Sequence, residues 1–298
     1  MTAFDQLGTE ARDAAGADLD LRSTLELVEL MNAEDATVPA AVAGAAPAVA
    51  ALIDDVAQRL AGGGRLIYAG AGTSGQLAAV DAAECESTFS AAPGQVVALV
   101  AGAAARSAAE RDAAEDDAEG GTREVQGLGV TAADAVVGVS ASGRSSYVRG
   151  ALEAARSAGA LTACLVCVEG SELAALADHE ICVPVGPEVL AGSTRLKAGT
   201  AQKLVLNMIS TISMIRLGKT YGNLMVDVRA TNEKLRARVR SIVRQSTGAP
   251  PDDVEAALAT AGGDAKVAIV SLITGLDAGE ARARLAETGG VVRRAVEP

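Results

Sequence analysis

Two short loops of small polar residues, at positions 72–75 and 140–146, have the composition of a phosphate-binding site. Each loop follows an apolar run and precedes a helical pattern, so it leaves backbone N–H groups free at the N-terminus of a helix. If both loops end neighbouring parallel strands, they converge on one crevice. We therefore predict a cradle for the phosphate of a small molecule. The candidate ligands are Gly72, Thr73, Ser74, Ser140, Ser142 and Ser145.

The first loop also matches the glycine spacing of a dinucleotide site, with glycines at Gly70, Gly72 and Gly75. A nicotinamide site expects an acidic residue at the end of the next strand. This chain has only apolar residues and glycine there, at positions 100–102. A compact phosphate monoester is therefore favoured over a dinucleotide as the ligand. The remaining alternative is that the glycines only form a tight turn and the loop binds no ligand.

Two carboxylates, Glu84 and Glu115, are candidates for acid–base chemistry. Glu84 follows the first loop by about two and a half helical turns, and Glu115 stands in an acidic run. Either residue, taken alone, is typical of a solvated helix face. Lys197 is a candidate ligand for a phosphate or hydroxyl, with a surface role equally open, and His179 is interpreted as structural. Proton transfer at neutral pH then falls to a carboxylate whose pKa is raised by burial.

The composition excludes several classes of function. The chain has 298 residues, of which 49% are hydrophobic and 2% aromatic, and its formal net charge is −12. An acidic chain with few aromatic rings suits neither nucleic acid nor an anionic membrane. No signal-like N-terminus and no membrane-spanning apolar run are found in the sequence. We therefore expect a soluble, cytoplasmic protein that acts on a small molecule.

Cys164 and Cys167 form a Cys-x-x-Cys pair, a spacing found in redox and zinc sites. They lie in a strand pattern, however, where residues three apart face opposite sides. The other cysteines, Cys85 and Cys182, form no second pair of this spacing. We interpret the cysteines as buried thiols.

Strands rich in Val, Ile and Leu alternate with helices as far as Val185, which predicts a parallel sheet covered on both faces. The expected fold class is α/β, a three-layer sandwich. The predicted strands are 66–69, 95–101, 135–139, 161–168 and 179–185. The predicted helices are 23–31, 39–61 with a kink or break at Pro47, one starting near Gly75, 103–118, one ending near Ala158, 201–217 and 230–244.

The domain organisation follows from a change of pattern near the C-terminus. Residues 246–251 contain Gly and Pro and are interpreted as a linker. Residues 252–298 predict a small domain of three short helices. The larger domain, residues 1–245, contains both loops and begins with an arm over residues 1–22.

Four motifs in this order resemble those of the N-acetylmuramic acid 6-phosphate etherases, a family of the sugar isomerase (SIS) superfamily. The resemblance covers nearly the whole chain. It implies the SIS fold, which is flavodoxin-like, with a small helical C-terminal domain. The matching segments are 70–75 with 81–85, 140–144, 192–203 and 221–228.

The resemblance also implies an activity and a site. Members cleave a lactyl ether from an amino-sugar 6-phosphate during cell-wall recycling, without a metal or redox cofactor, as homodimers. The two acid–base glutamates of the family match Glu84, assigned as the proton donor, and Glu115. Ser193 and Lys197 fall in the matching segments and are added to the candidate binding residues. The site is expected near the subunit interface.

Two departures and two alternatives accompany this resemblance. Gln76 replaces a usual arginine and Glu86 a usual proline, so a weaker attraction for an anionic substrate, or a different substrate preference, is expected. A sugar-phosphate-sensing regulator shares the motifs but resembles two such domains in tandem. A phosphosugar aldose–ketose isomerase also removes a carbon-2 proton, and lactate release separates the two enzymes.

Overall fold

Five strands form a parallel sheet in the order β2-β1-β3-β4-β5, and all of them except β5 are mainly apolar. The computed structural model describes Gly8, Ala11 and residues 18–228 and 233–297. All residues of β1, β3 and β4 are buried, as expected for strands covered on both faces. The strand order is that of flavodoxin-like sheets, so the predicted α/β fold is confirmed. The strands are β1 (Leu66–Gly70), β2 (Val96–Val100), β3 (Ala135–Val139), β4 (Leu161–Val166) and β5 (His179–Cys182).

The chain reverses its direction of winding between β1 and β3. It leaves β1 for β2 on one side, then returns to place β3 on the other side, with Gly70 opposite Val139. The connections that follow β1 and β3 therefore diverge from adjacent strand ends. A crevice opens at such a point in parallel sheets, and ligands bind there.

Helices and one small strand pair complete the described structure. The short antiparallel strands are β6 (Thr220–Tyr221) and β7 (Leu224–Met225). The helices are α1 (Thr24–Asp35), α2 (Val38–Gly44), α3 (Ala46–Ala61), α4 (Gly72–Phe89), α5 (Ala108–Glu115), α6 (Ala118–Gly127), α7 (Ser146–Ser157), α8 (Lys197–Arg216), α9 (Glu233–Thr247), α10 (Pro251–Thr260), α11 (Ala265–Thr274), α12 (Ala278–Glu287) and α13 (Val292–Val296).

The residues pack as two compact units. The first takes in residues up to Ala83 together with Gly94–Ser210, and the second contains Glu84–Pro93 and Thr211–Pro298. The sheet belongs to the first unit. The second has its own apolar core, formed mainly by α9 to α13. In the same unit, Asp227 forms ion pairs with Lys219 at 2.8 Å and with Lys266 at 2.9 Å.

The long helix predicted over residues 39–61 is broken, as the position of Pro47 suggested. It forms α2 and α3, and Pro47 stands in the first turn of α3, where its missing N–H group costs no hydrogen bond. Two more predictions differ from the structure. The C-terminal stretch holds four helices from α10 to α13 instead of three, and α8 begins at Lys197. The start predicted for the helix over residues 230–244 lies outside the described residues.

The prediction of one helix over residues 103–118 is wrong. The chain forms α5 and then α6, because two side chains each start a separate helix. Ser107 accepts a hydrogen bond from the Glu110 N–H, and Asp117 accepts one from the Gly120 N–H. The N-terminal arm predicted over residues 1–22 lies mostly outside the described residues.

Within the described part of the chain, no single helix is long and apolar enough to cross a membrane. Two helix pairs reach that length and composition only when their members are counted together. One is α1–α2 with α3, bent by 60°, and the other is α10 with α11, bent by 119°.

Two glycines let α6 and α7 touch backbone to backbone. A Cβ atom on Gly121 would stand 2.0 Å from the Tyr147 carbonyl oxygen, and one on Gly150 would stand 1.9 Å from the Ala118 carbonyl oxygen. Neither neighbour is a flexible side chain that can move aside. The contact therefore fixes the start of α7, which carries part of the second loop.

Replacing Gly150 with alanine should lower the free energy of unfolding by about 2 kcal/mol or more, because the helices must separate. Urea unfolding followed by circular dichroism measures this change. Gly127→Ala is the matched control, since it lies at the end of α6 with no atom within 4 Å of its Cβ position. The control should unfold at or slightly above the urea concentration of the parent. Equal stability of both variants would contradict the close contact.

Candidate active site

The first loop turns directly from β1 into α4. A Cβ atom on Gly75 would stand 2.6 Å from the Gly70 carbonyl oxygen, and Gly72 has a φ of +53°. Only glycine allows this approach and this left-handed backbone. The helix consequently begins at Gly72, three residues earlier than predicted, and its free N–H groups point past the strand end.

The residues of both loops line one cavity of about 210 Å³, which we call the serine cavity. It holds every loop residue predicted as a phosphate ligand, and Glu115 as well. Hydroxyls and backbone donors at two neighbouring strand ends thus face one space. The lining residues are Ala71, Gly72, Thr73, Ser74, Glu115, Val139, Ser140, Ala141, Ser142, Ser145 and Thr194.

A second cavity of about 430 Å³, which we call the wide cavity, shares Gly72, Thr73 and Glu115 with the serine cavity. Glu115 therefore stands at the boundary between a hydroxyl-rich space and a larger one that contains charged side chains. The remaining lining residues are Gln76, Val100, Ala101, Gly102, Ala103, Ala105, Arg111 and Asp112.

Glu115 is the last residue of α5, and its carboxylate points toward the start of α4. Its Oε2 atom lies 4.0 Å from the place where a Cβ on Gly72 would stand. The Ser145 hydroxyl donates to the Glu115 carbonyl oxygen at 3.3 Å, so the second loop holds the end of α5. Partial burial, and then the neighbouring Asp116 and Asp112, raise the pKa of the Glu115 carboxyl above its ordinary value.

Ser74 is buried and bonded inside the protein. Its hydroxyl donates to Oε1 of Gln202 on α8 at 2.9 Å. The Gln202 side chain is buried too, and its Nε2 has no hydrogen-bond partner among the described residues. In the second loop, Ser140 Oγ accepts from the Gly143 N–H at 3.1 Å, which closes the turn.

Three predicted site residues lie elsewhere than in the walls of these cavities. Glu84 is exposed on α4, and Ser193 is half-buried just before α8. Lys197 is buried, which excludes a surface role, and its Nζ bonds to Oε2 of Glu34 on α1 at 2.5 Å. The substrate-binding role predicted for Ser193 and Lys197 and the catalytic role predicted for Glu84 stay predictions.

The first turn of α8 is closed by an internal carboxylate. Glu188 is fully buried and accepts from the backbone N–H groups of Lys197 at 3.0 Å and Ala198 at 2.9 Å. A negative charge at a helix N-terminus satisfies donors that have no partner within the helix. This cap explains why α8 begins four residues before the predicted start.

Sequence reasoning did not identify Asp81 as a structural anchor. Asp81 is buried on α4 and accepts from Tyr68 at 3.0 Å, Asn207 at 2.6 Å and Ser210 at 2.9 Å. Burial still raises the pKa of its carboxyl. Thr194 and Arg111 in the cavity walls were missed because neither has a local signal in the sequence, whereas Gln76 was identified there only as a departure from the family.

The remaining candidates agree with structural roles. Cys164 and Cys167 are buried free thiols, as predicted, and burial raises the pKa of each to about 12. His179 Nε2 lies 2.7 Å from Asp55 Oδ2, so it ties β5 to α3. The described residues contain no group of three or more His, Cys, Asp or Glu side chains arranged to hold a metal ion.

An NMR titration of the Glu115 side-chain carboxyl should give a pKa above that of an exposed glutamate. Asp112→Asn should lower this pKa because it removes a neighbouring negative charge. A carboxyl whose pKa is raised by folding binds its proton more tightly in the folded state. Its contribution to stability therefore falls as pH rises from the unfolded to the folded pKa. A pKa at or below the ordinary value would contradict the desolvation of this carboxyl.

The sequence matches known families over most of its length. Residues 23–156 match the glucokinase regulatory protein N-terminal SIS domain, and residues 122–212 match the SIS domain. The N-acetylmuramic acid 6-phosphate etherase of Streptomyces coelicolor is 58% identical over 98% of this chain and 94% of its own length. That of Rubrobacter xylanophilus is 58% identical over 98% of this chain and 96% of its own length.

The fold has solved counterparts as well. A phosphoheptose isomerase from Francisella tularensis superposes with a TM-score of 0.53 and 19% identity, and the alignment covers 65% of this chain and 100% of that one. At this identity the likeness is one of fold.

Proposed function

This chain belongs to the family of N-acetylmuramic acid 6-phosphate etherases, and on that premise we propose that it cleaves the D-lactyl ether of N-acetylmuramic acid 6-phosphate. The products are N-acetylglucosamine 6-phosphate and D-lactate, formed in the cytoplasm during the recycling of cell-wall peptidoglycan. The serine cavity is the main support for the proposal, because hydrogen-bond donors for a phosphate and a carboxyl with a raised pKa lie together there. A phosphorylated sugar does not cross a membrane unaided, which supports the location.

The proposed reaction uses the open-chain sugar, in which the C2 proton lies alpha to an aldehyde. A glutamate removes this proton, the C3–O bond breaks, and the lactate oxygen takes the electron pair and a proton from an acid. Water then adds across the C2–C3 double bond, with its oxygen on C3 and a proton on C2. This elimination makes the protein a carbon–oxygen lyase, and it needs one carboxyl that accepts a proton and one that donates.

Glu84 is the proposed proton donor, and Glu115 is the second acid–base group. The raised pKa of Glu115 brings its carboxyl nearer to the pH at which it can both take up and release a proton. No metal or redox cofactor enters this chemistry, since the aldehyde itself acidifies the C2 proton.

The phosphate is proposed to lie in the serine cavity, bound by hydroxyls and by N–H groups at the start of α4. Binding energy from a phosphate remote from the reacting carbons positions them for proton transfer. The loop ligands are Gly72, Thr73, Ser74, Ser140, Ser142 and Ser145, with Ser193 and Lys197 as further binding residues.

The purified protein should release D-lactate from N-acetylmuramic acid 6-phosphate, measured with a lactate dehydrogenase assay. Turnover in deuterium oxide should leave deuterium on C2 of the product, because that proton is exchanged with solvent. No lactate at high enzyme concentration would refute the activity and leave the regulator and isomerase as alternatives. Lactate release without deuterium at C2 would refute the elimination.

Glu84→Gln and Glu115→Gln should each keep the fold and lower kcat by about 10²–10⁴-fold, because an amide cannot transfer the proton. Glu86→Gln is the matched control, since this substitution removes the same charge from another exposed position on α4. The control should keep kcat within about twofold of the parent. Near-normal turnover by Glu84→Gln would show that the assignment of the proton donor is wrong.

A homodimer with the site near its interface is proposed from exposed apolar side chains. On α8, Met208, Ile212 and Ile215 are 37%, 37% and 45% exposed and recur at helical spacing. On α4, Val80 is 63% exposed and stands four residues before Glu84, on the same helix face. Covering Val80 by a second copy would place the partner beside Glu84.

Ile212→Glu should shift the protein from dimer to monomer, since a charge would be buried in an apolar contact. Light scattering coupled to gel filtration measures the mass. Gln58→Glu, which adds the same charge at an exposed position on α3, is the control and should stay dimeric. A monomeric parent protein at micromolar concentration would exclude the dimer.

A further inference from the structure

The wide cavity contains a cation that no acidic side chain neutralises. Arg111 lines this cavity and is exposed, and it makes no ion pair or side-chain hydrogen bond within the part of the chain that the structure describes. This is unusual for its surroundings, because Asp112 and Glu115 line the same cavity and the chain has a net charge of −12. Among the described residues that line either cavity, Arg111 is the one with a positive charge.

The backbone of Arg111 is fixed although its guanidinium is free. Gly102, at the end of β2, has a φ of +66°, and a Cβ there would stand 3.1 Å from the Arg111 Cα. Ser107 caps the start of α5, and the Ser145 hydroxyl holds its end. A charged group on a fixed helix, free of partners and facing a cavity, is prepared to bind an anion.

The order of groups along the cavities follows the order of groups on the proposed substrate. The phosphate on C6 lies at one end, the reacting C2 and C3 lie in the middle, and the lactyl carboxylate lies beyond the ether oxygen. Along the protein, the serine cavity comes first, Glu115 stands at the boundary, and Arg111 lies one helical turn before Glu115 in the wide cavity. The two anions of the substrate thus have separate sites.

Electrostatics requires a cation at the second site. A carboxylate that enters the wide cavity is repelled by Asp112 and Glu115, which line it. The neutral hydrogen-bond donors of the serine cavity lie on the other side of Glu115. A guanidinium can bind a carboxylate with two parallel N–H···O bonds, which also fixes its orientation. That orientation aligns the C3–O bond that must break.

We propose that Arg111 binds the carboxylate of the lactyl group and so makes the protein specific for an ether whose leaving group is an acid. This inference rests on the proposed function. It assigns Arg111 to the leaving group, whereas the phosphate belongs to the loops.

The test compares two substrates, N-acetylmuramic acid 6-phosphate and its analogue with the lactyl carboxylate converted to a carboxamide. The parent protein should prefer the acid. Arg111→Gln should raise the KM for the acid about ten- to hundredfold, the value of a lost charged hydrogen bond. It should leave the KM for the carboxamide within about twofold, because that group carries no charge to lose. Arg111→Lys should restore part of the preference, since a lysine keeps the charge but not the paired geometry.

Arg106→Gln is the matched control, because it removes the same charge from an exposed residue outside both cavities, just before α5. It should leave the preference for the acid unchanged. Inhibition by inorganic phosphate gives a second readout, and Arg111→Gln should not weaken it.

Three outcomes overturn the inference: an equal rise in KM for both substrates, weaker phosphate inhibition in Arg111→Gln, or the same effect from Arg106→Gln. The first two would show that Arg111 binds the phosphate or stabilises the fold. The third would show that only the overall charge of the protein matters. Failure of the parent protein to release lactate from N-acetylmuramic acid 6-phosphate, or lactamide from the carboxamide, is a different result, since it would refute the etherase activity itself.

Discussion

The contact between the end of β1 and the first turn of α4 leaves no room for even one methyl group. Gly70 and Gly75 approach each other so closely that a Cβ on either would stand 2.9 Å or less from the backbone of the other. The helix must therefore begin at the strand end, with its unpaired N–H groups over the edge of the sheet. Because β3 is the neighbour of β1, its serine loop opens at the same edge, and Ser145 then draws the end of α5 and Glu115 into place.

The candidate site offers hydrogen-bond donors to an anion, although the chain as a whole is strongly negative. A molecule with a net charge of −12 repels anions at long range, so binding a sugar phosphate depends on short-range groups. In the serine cavity these groups are backbone dipoles and hydroxyls, which in the proposed site would bind the phosphate without a cation among the described lining residues. A cation there would favour the ionised carboxylate and lower its pKa. Arg111 lines the wide cavity and not the serine cavity, so the proposed phosphate site has no cation among its described lining residues.

The features that the sequence predicts well are those determined by a few neighbouring residues. The strands, the loops at 72–75 and 140–146 and the break at Pro47 depend on apolar runs, glycine and proline. The division between α5 and α6 depends on two caps, and a serine or aspartate can equally stand inside an exposed helix. Contacts between distant residues give no local signal. Lys197 meets Glu34, 163 positions away, and Arg111 enters a cavity wall only because the sheet brings β1 and β2 together.

The carboxylate of Glu188 has a consequence for where an anion can settle. The first N–H groups of any helix have no partner within the helix, so the starts of α4, α7 and α8 could each bind a phosphate on this ground alone. At α8 this position is already occupied, because the two carboxylate oxygens of Glu188 accept hydrogen bonds from the first two N–H groups of the helix. Ser145 fills part of the corresponding place on α7. The protein thus satisfies N–H groups at two of these helix starts with its own side chains, and the start of α4 is the one that the proposed function assigns to the substrate phosphate.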